Sequence, residues 1–310
     1  MSILLDGQSR VLVQGITGRQ ARTHVKYMVS YGTRVVAGVS PGKGGTEVEG
    51  IPVFDTVRSA LQKHEVDISV LFIAAPGVRD AALAAIEHRV PLVLVLAESV
   101  PHRDTAEICH RASLNGVRVI GPNSQGMITP GKAKLGGTGG QFPERMYLPG
   151  PVGIMSRSGG MGGEIGSALT QQGIGQSTYV SVGGDLLTGT SFADLLPLFE
   201  ADSQTRAVVM FGEPGTGHEE TAAALIASGA ITKPVVAFVC GEALEQLPRG
   251  MSFGHTSSII SRGFGSPSRK RQLLREAGVL VAERFQDLPQ LVTQALDGRV
   301  GVTAAVGSGR

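Results

Sequence analysis

Short aliphatic runs, often β-branched, recur along this chain, and between them apolar positions fall three and four residues apart. Continuous apolar runs of this kind read as strands buried on both faces, and the wider spacing reads as helices packed on one side. The first series predicts strands at Val11–Val13, Arg34–Ala37, Val70–Ile73, Leu92–Val95 and Val117–Ile120. Its helices are predicted over Arg19–Tyr31, Thr56–Lys63, Val78–His88 and Arg103–Asn115. A second series has strands at Val152–Met155, Thr178–Val182, Ala207–Phe211, Pro234–Val239 and Val279–Ala282. Helices Gly162–Gln171, Ser191–Glu200, His218–Ala227, Ser268–Ala277 and Leu288–Leu296 accompany them. The alternation predicts an α/β chain with parallel sheets. Between the series, residues 121–151 are rich in Gly and Pro and carry Lys132 and Lys134. That is too long for an ordinary connection inside one compact domain. The expected organisation is therefore a domain over 1–122, an ordered connecting segment over 123–150, a second domain over 151–300 and a disordered tail over 301–310.

Composition narrows the class. The 310 residues suffice for two domains with separate cores, and 42% hydrophobic against 17% charged residues describes a globular chain. A net charge of +2 gives no electrostatic footprint for nucleic acid or an anionic membrane. An anionic ligand must then be held by a local site. Cys109 and Cys240 cannot build a disulfide framework or an all-cysteine metal site, and no metal ligand set is read from the chain. The start, Met1 to Asp6, lacks the features of a signal peptide, and no apolar run reaches the length of a membrane span. These readings point to a cytoplasmic protein.

Candidate chemistry clusters where strands end. Gly15-Ile16-Thr17-Gly18-Arg19-Gln20 follows the first strand and opens the first helix, the place where a doubly wound fold receives a phosphate on helix-start amides. A tight turn without ligand is the plain alternative. The dinucleotide fingerprint G-x-G-x-x-G is missing, and Ala37-Gly38-Val39-Ser40 stands where a ribose-binding acid belongs, which disfavours a nicotinamide-dependent oxidoreductase. Lys43, within Ser40-Pro41-Gly42-Lys43-Gly44-Gly45, is either a solvated lysine or, with Arg19, a holder of the phosphates of coenzyme A. Ser156-Arg157-Ser158-Gly159-Gly160-Met161-Gly162-Gly163 offers a second set of unobstructed amides at a strand-to-helix turn. Glu213, at another strand end, is a helix cap or solvated charge, or else the partner of an imidazole Nδ1. That imidazole is His255, in the small-residue run Phe253-Gly254-His255-Thr256-Ser257-Ser258, where it is open to a bulky group such as phosphate.

Six motifs in order resemble the α subunit of succinate–CoA ligase over about residues 1–297: Gly-Ile-Thr-Gly-Arg-Gln, Ser-Pro-Gly-Lys-Gly-Gly-Thr, Gly-Pro-Asn-Ser-Gln-Gly, Ser-Arg-Ser-Gly-Gly, Gly-Glu-Pro-Gly and Phe-Gly-His-Thr-Ser. The resemblance implies a Rossmann-like CoA-binding domain followed by a flavodoxin-like ligase domain. It implies a CoA site at Thr17, Gly18, Arg19, Gln20, Lys43, Leu96, Ala97 and Glu98, a phosphohistidine at His255 and an orienting glutamate at Glu213. Substrate and phosphate contacts are expected from Asn123, Ser124, Gln125, Ser156, Arg157, Ser158, Gly159, Gly160 and Gly163. The implied reaction runs from ATP or GTP to phosphohistidine, then to an acyl phosphate, then to a thioester. Nucleotide and Mg²⁺ are expected on an ATP-grasp β subunit, in an αβ or (αβ)₂ assembly.

Departures from the family pattern bear on the acid. The usual Ser-Arg-Ser-Gly-Thr-Leu-Thr-Tyr-Glu reads Ser-Arg-Ser-Gly-Gly-Met-Gly-Gly-Glu here, so a tyrosine gives way to Gly163, which is expected to open volume. Gly-Pro-Asn-Cys-Pro-Gly becomes Gly-Pro-Asn-Ser124-Gln125-Gly, and Gly-His-Ala-Gly-Ala becomes Gly-His-Thr-Ser-Ser. The Leu135–Gly140 and Ser156–Met161 runs look more like ATP-citrate lyase and citryl-CoA synthetase. A carboxylic acid larger or more polar than succinate, such as malate or citrate, is expected. A non-catalytic module that senses acyl-CoA is the competing class.

Overall fold

The computed structural model describes residues 3–246, 255 and 265–298. The expected tail at 301–310 and the immediate neighbours of His255 lie outside the described residues.

The first domain runs β1 (Arg10–Gln14), α1 (Arg19–Ser30), β2 (Arg34–Val39), β3 (Glu47–Val48), β4 (Ile51–Phe54), α2 (Val57–Leu61), β5 (Ile68–Leu71), α3 (Ala75–Glu87), β6 (Leu92–Val95), α4 (His102–Asn115) and β7 (Arg118–Ile120). Its sheet has the order β3-β4-β2-β1-β5-β6-β7 and is parallel except for the β3–β4 pair. β5 starts earlier than expected because Ile68 is already in register with Val11 and Leu92. α3 likewise begins at Ala75, since Pro76 in the first turn lacks only an N–H that would have no partner there.

The second sheet is larger than its sequence pattern indicates. The segment expected to connect the domains carries β8 (Gly126–Thr129) and β9 (Ala133–Gly136), an antiparallel pair joined to the sheet through β11. Then follow β10 (Pro149–Ser156), α5 (Gly159–Gln171), β11 (Gln176–Ser181), α6 (Phe192–Ala201), β12 (Ala207–Gly212), α7 (His218–Ala227), β13 (Val235–Val239), α8 (Pro267–Glu276), β14 (Leu280–Val281) and α9 (Leu288–Leu296). The sheet order is β14-β13-β12-β10-β11-β8-β9. Lys134, on β9, is fully buried, and burial pulls its ammonium down to about 8 while it donates to the Gly140 carbonyl and lies over the Tyr27 ring. A lysine in that position hides a buried strand from a reading based on apolar runs.

One apolar core continues through both sheets, from Val11 and Val70 to Met155 and Val208. Polar ties cross the domain boundary as well: Thr33 Oγ1 donates to Lys134 O at 2.7 Å, Thr129 Oγ1 to Leu5 O at 2.7 Å, and Thr190 Oγ1 to Val119 O at 2.6 Å. The two sheets are thereby fixed to each other, which matters because the candidate site draws on both. Among the described residues no helix is long and apolar enough to cross a membrane.

Candidate active site

In the first sheet β1 is flanked by β2 and β5, and the chain reverses direction of winding there. Such a switch point leaves a crevice beyond the strand ends. Gly15 begins the turn at this crevice with φ +76°, and a Cβ on it would lie 2.4 Å from Phe72 O, so only glycine fits. Thr17 Oγ1 donates to Ser40 Oγ at 3.0 Å, and Lys43 N–H donates to Ser40 O at 3.0 Å. Ser40 thus holds the β1 and β2 loops side by side. Gly18 starts α1 without a side-chain cap, the first turn has no acid, and Gly18, Arg19, Gln20 and Lys43 are exposed. Leu96, Ala97 and Glu98 follow β6 at the same sheet edge, with Ala97 O accepting from Asn123 N–H at 2.7 Å. An uncapped helix start with basic side chains around it suits an anionic nucleotide such as CoA.

The second sheet has its own switch point at β10, between β11 and β12. Ser156 pairs with Phe211 across β10 and β12, so the Ser156–Ser158 and Gly212–Pro214 segments leave the sheet together. Ser156 Oγ donates to Ser158 O at 2.5 Å, and Ser158 caps α5 by accepting from Met161 N–H at 3.4 Å. The first turn of α5 carries no acid, and a Cβ on Gly160 would meet nothing within 4 Å.

His255 meets Glu213 just beyond the end of β12. Its Nδ1 is 2.7 Å from Glu213 Oε2, and Glu213 is buried. A carboxylate only accepts, so the contact places the proton on Nδ1 and leaves Nε2 with its lone pair. The hydrogen bond to Glu213 raises the imidazole above its ordinary value, against burial and the nearby Arg157. The ring lies over Gly184: a Cβ there would be 2.5 Å from His255 Cδ2 and 2.6 Å from Cε1.

Arg157 braces the floor beneath. It is 1% exposed and donates through Nη2 to Gly184 O at 3.3 Å and Asp185 O at 3.2 Å. Burial draws this guanidinium below its usual range, while Glu219, Glu213 and Asp185 oppose the effect. Asn123 Nδ2 donates to Asp185 Oδ1 at 3.0 Å, and Asn123 O accepts from Gly184 N–H at 3.3 Å. Since Asn123 also bonds Ala97, it ties the edge of the first sheet to the platform under His255.

Two expectations are corrected. Gly163 opens no volume toward the site: it is buried, and a Cβ on it would lie 2.8 Å from Met146 Cε. Ser124 does not face a ligand either, because its hydroxyl is buried and donates to Ser181 O at 2.6 Å. Gln125 packs its side chain on Gly159 at the start of α5, and the open position is Gly160. Sequence reading missed Gly184, Asp185, Glu219 and Lys270. The Gly183-Gly184-Asp185 run after a strand and the adjacent acids Glu219-Glu220 were the signals available.

Comparison with known proteins shows the family. Residues 6–99 match the family model described as CoA binding domain, and residues 149–295 match the Succinyl-CoA ligase like flavodoxin domain. The chain is 43% identical over 300 residues to the Methanothermobacter thermautotrophicus succinate–CoA ligase [ADP-forming] subunit alpha, covering 97% of this chain and 98% of that protein. It is 39% identical to the ADP-forming sulfoacetate-CoA ligase subunit SqwL of Acholeplasma sp, over 95% of this chain and 98% of that one. The ATP citrate lyase of Methanothrix soehngenii, solved with citrate and coenzyme A, superposes with a TM-score of 0.87 at 27% identity. That match covers 96% of this chain but 51% of the lyase, so the chain spans about half the length of that neighbour. These are acid–thiol ligases and their structural kin. The chain belongs to the α-subunit family of succinate–CoA ligases.

Proposed function

We propose that this chain is the α subunit of an ADP- or GDP-forming carboxylic acid–CoA ligase working through phospho-His255. The 2.7 Å contact between His255 Nδ1 and Glu213, just beyond the end of β12, carries the reading. With Nδ1 protonated, Nε2 is the nucleophile that takes a phosphoryl group from a nucleotide. Glu213 then offsets the positive charge that the ring gains on phosphorylation. The start of α5, capped by Ser158 through the Met161 N–H, carries no acid in its first turn, and there the Gly159 and Gly160 amides and the helix dipole favour a phosphoryl group or a carboxylate. Phosphoryl transfer to the acid's carboxylate regenerates His255, and attack by the CoA thiolate on the acyl phosphate expels phosphate and forms the thioester.

CoA is assigned to Thr17, Gly18, Arg19, Gln20, Lys43 and the Leu96–Glu98 segment, all at the exposed edge of the first sheet. The nucleotide and Mg²⁺ are assigned to an ATP-grasp β subunit in an αβ or (αβ)₂ assembly. The acid is larger or more polar than succinate, since Gly160 leaves open space beside the α5 amides and Gln125 adds an amide there. An acid panel with the assembled ligase tests this, by thioester yield. Malate, citrate or another substituted acid turns over faster than succinate; equal or faster turnover of succinate removes the substrate assignment. CoA binding without phosphoryl uptake from γ-labelled ATP or GTP would identify a CoA-sensing module instead.

A further inference from the structure

Lys270 is a fully buried ammonium that the chemistry above does not use. It lies in the first turns of α8, and its Nζ reaches three acceptors: Glu219 Oε2 in a close contact, Glu220 Oε2 at 3.0 Å and Thr216 O at 3.1 Å. Glu219, also fully buried, turns its other oxygen elsewhere: Oε1 accepts from the main-chain N–H of Glu213 at 3.0 Å. Glu219 occupies the space beside Gly212, where a Cβ would lie 2.6 Å from Oε1. The intervening turn has Gly215 at φ +76° and Thr216 at φ +42°, and Gly215 N–H donates to Gly265 O at 2.8 Å. A turn in these conformations keeps its shape only where its surroundings determine it. Here Lys270 and Glu219 hold it from both ends, and its first residue is the one whose carboxylate grips His255.

We infer that Lys270 and Glu219 are positioning residues for the histidine, acting through the main chain of Glu213; the inference rests on the assignment of His255 as the phosphoryl acceptor. The ammonium donates to Glu219 Oε2 and anchors that side chain in a fully buried place. Glu219 Oε1 accepts from the Glu213 N–H, and that bond sets where the Glu213 side chain points. Loss of Lys270 removes the anchor of Glu219 Oε2, and the Glu213–Thr216 turn relaxes. The Glu213–His255 contact goes with it, although neither residue has been changed.

Removing one partner of a buried pair destabilises, whereas replacing both with apolar groups of similar size is often tolerated. The test therefore uses the double variant K270M/E219L beside K270R and E219Q in the full chain. Two readouts are followed: the titration of the His255 ring by NMR, and the rate of phosphoryl uptake from γ-labelled ATP or GTP by the assembled ligase. K270R keeps the cation and retains most of the labelling rate, whereas E219Q turns an amide NH2 toward the Lys270 ammonium and lowers it. K270M/E219L folds with its CoA affinity unchanged, yet labels at roughly one-tenth to one-hundredth of the wild-type rate, the scale of a small misplacement. In that variant the His255 titration moves down toward the ordinary imidazole value. A double variant that labels at the wild-type rate, or whose His255 titration is unmoved, overturns the inference. Absence of labelling in the wild-type protein would instead strike the assignment of His255, and the NMR titration reads the positioning effect independently of it.

Discussion

Gly184 determines where the His255 ring can lie, because the imidazole covers the space that any side chain there would enter. Gly184→Ala places a methyl group about 2.5 Å from ring atoms, so the ring must move off Glu213. Labelling is expected to fall on the order of 10²-fold, with CoA affinity unchanged by titration. Glu213→Gln probes the same contact electrically. The Glu213 hydrogen bond raises the His255 midpoint above 6.5, and only the neutral ring offers Nε2 to phosphorus. Wild-type labelling therefore rises with pH through a midpoint above 6.5, and in Glu213→Gln that midpoint moves down. A pH–rate profile of labelling checks the shift. His218 responds in the opposite sense: burial, aided by Arg157, pulls it down to about 4. The unfolded chain then binds a proton below the ordinary histidine value that the folded chain refuses. Its contribution is complete above 6.5 and is lost as pH falls toward about 4, a loss of about 3 kcal/mol. Denaturant unfolding should show that slope flattened in His218→Phe. Thr17, Lys43 and Glu213 are candidates in sequence because each stands in a strand-end motif, and His255 because it stands in a run of small residues. Gly184 and Lys270 are not, since what they touch comes from segments remote in sequence.

At the level of elements, α5 is the part most closely fitted to its surroundings. Tyr179 fills the space over Gly162, where a Cβ would lie 2.3 Å from its ring, and its hydroxyl donates to Gly159 O at 3.0 Å. Tyr147 stacks on Tyr179 at 5.6 Å and covers Gly166. The glycines of α5 thus make room for two aromatic rings beneath the helix. Gly162→Ala overpacks this contact and should destabilise the fold by about 1–3 kcal/mol, measured by urea unfolding. The helix and strand order was legible from the apolar runs because most strands are buried on both faces. The hairpin of β8 and β9 was not. Its strands are four residues each, and the buried Lys134 interrupts the pattern that marks a strand. The start of α5 was placed too late for a related reason: Gly159-Gly160-Met161 has weak helix propensity, and Ser158 with the packing of Tyr179 compensates for it.

Over the whole molecule, the two switch points belong to sheets joined by one core, and Asn123 links their edges through Ala97, Gly184 and Asp185. The proposed CoA site and the proposed phosphohistidine thus stand on two sheets that share one core. The α/β class followed from the sequence because the strand–helix alternation is local. The joining of the domains did not, because it rests on side chains such as Thr33, Thr129 and Thr190, whose partners are main-chain carbonyls far along the chain.

The central claim is that phosphorus passes through His255. Its most direct test is tandem mass spectrometry of the assembled ligase after brief exposure to γ-labelled ATP or GTP with Mg²⁺, under alkaline conditions that preserve phosphohistidine. A single phosphoryl group is expected on His255, discharged by acid substrate plus CoA, and absent from His255→Ala although that variant still binds CoA. A phosphoryl group on another residue, or unaltered labelling in His255→Ala, would contradict it.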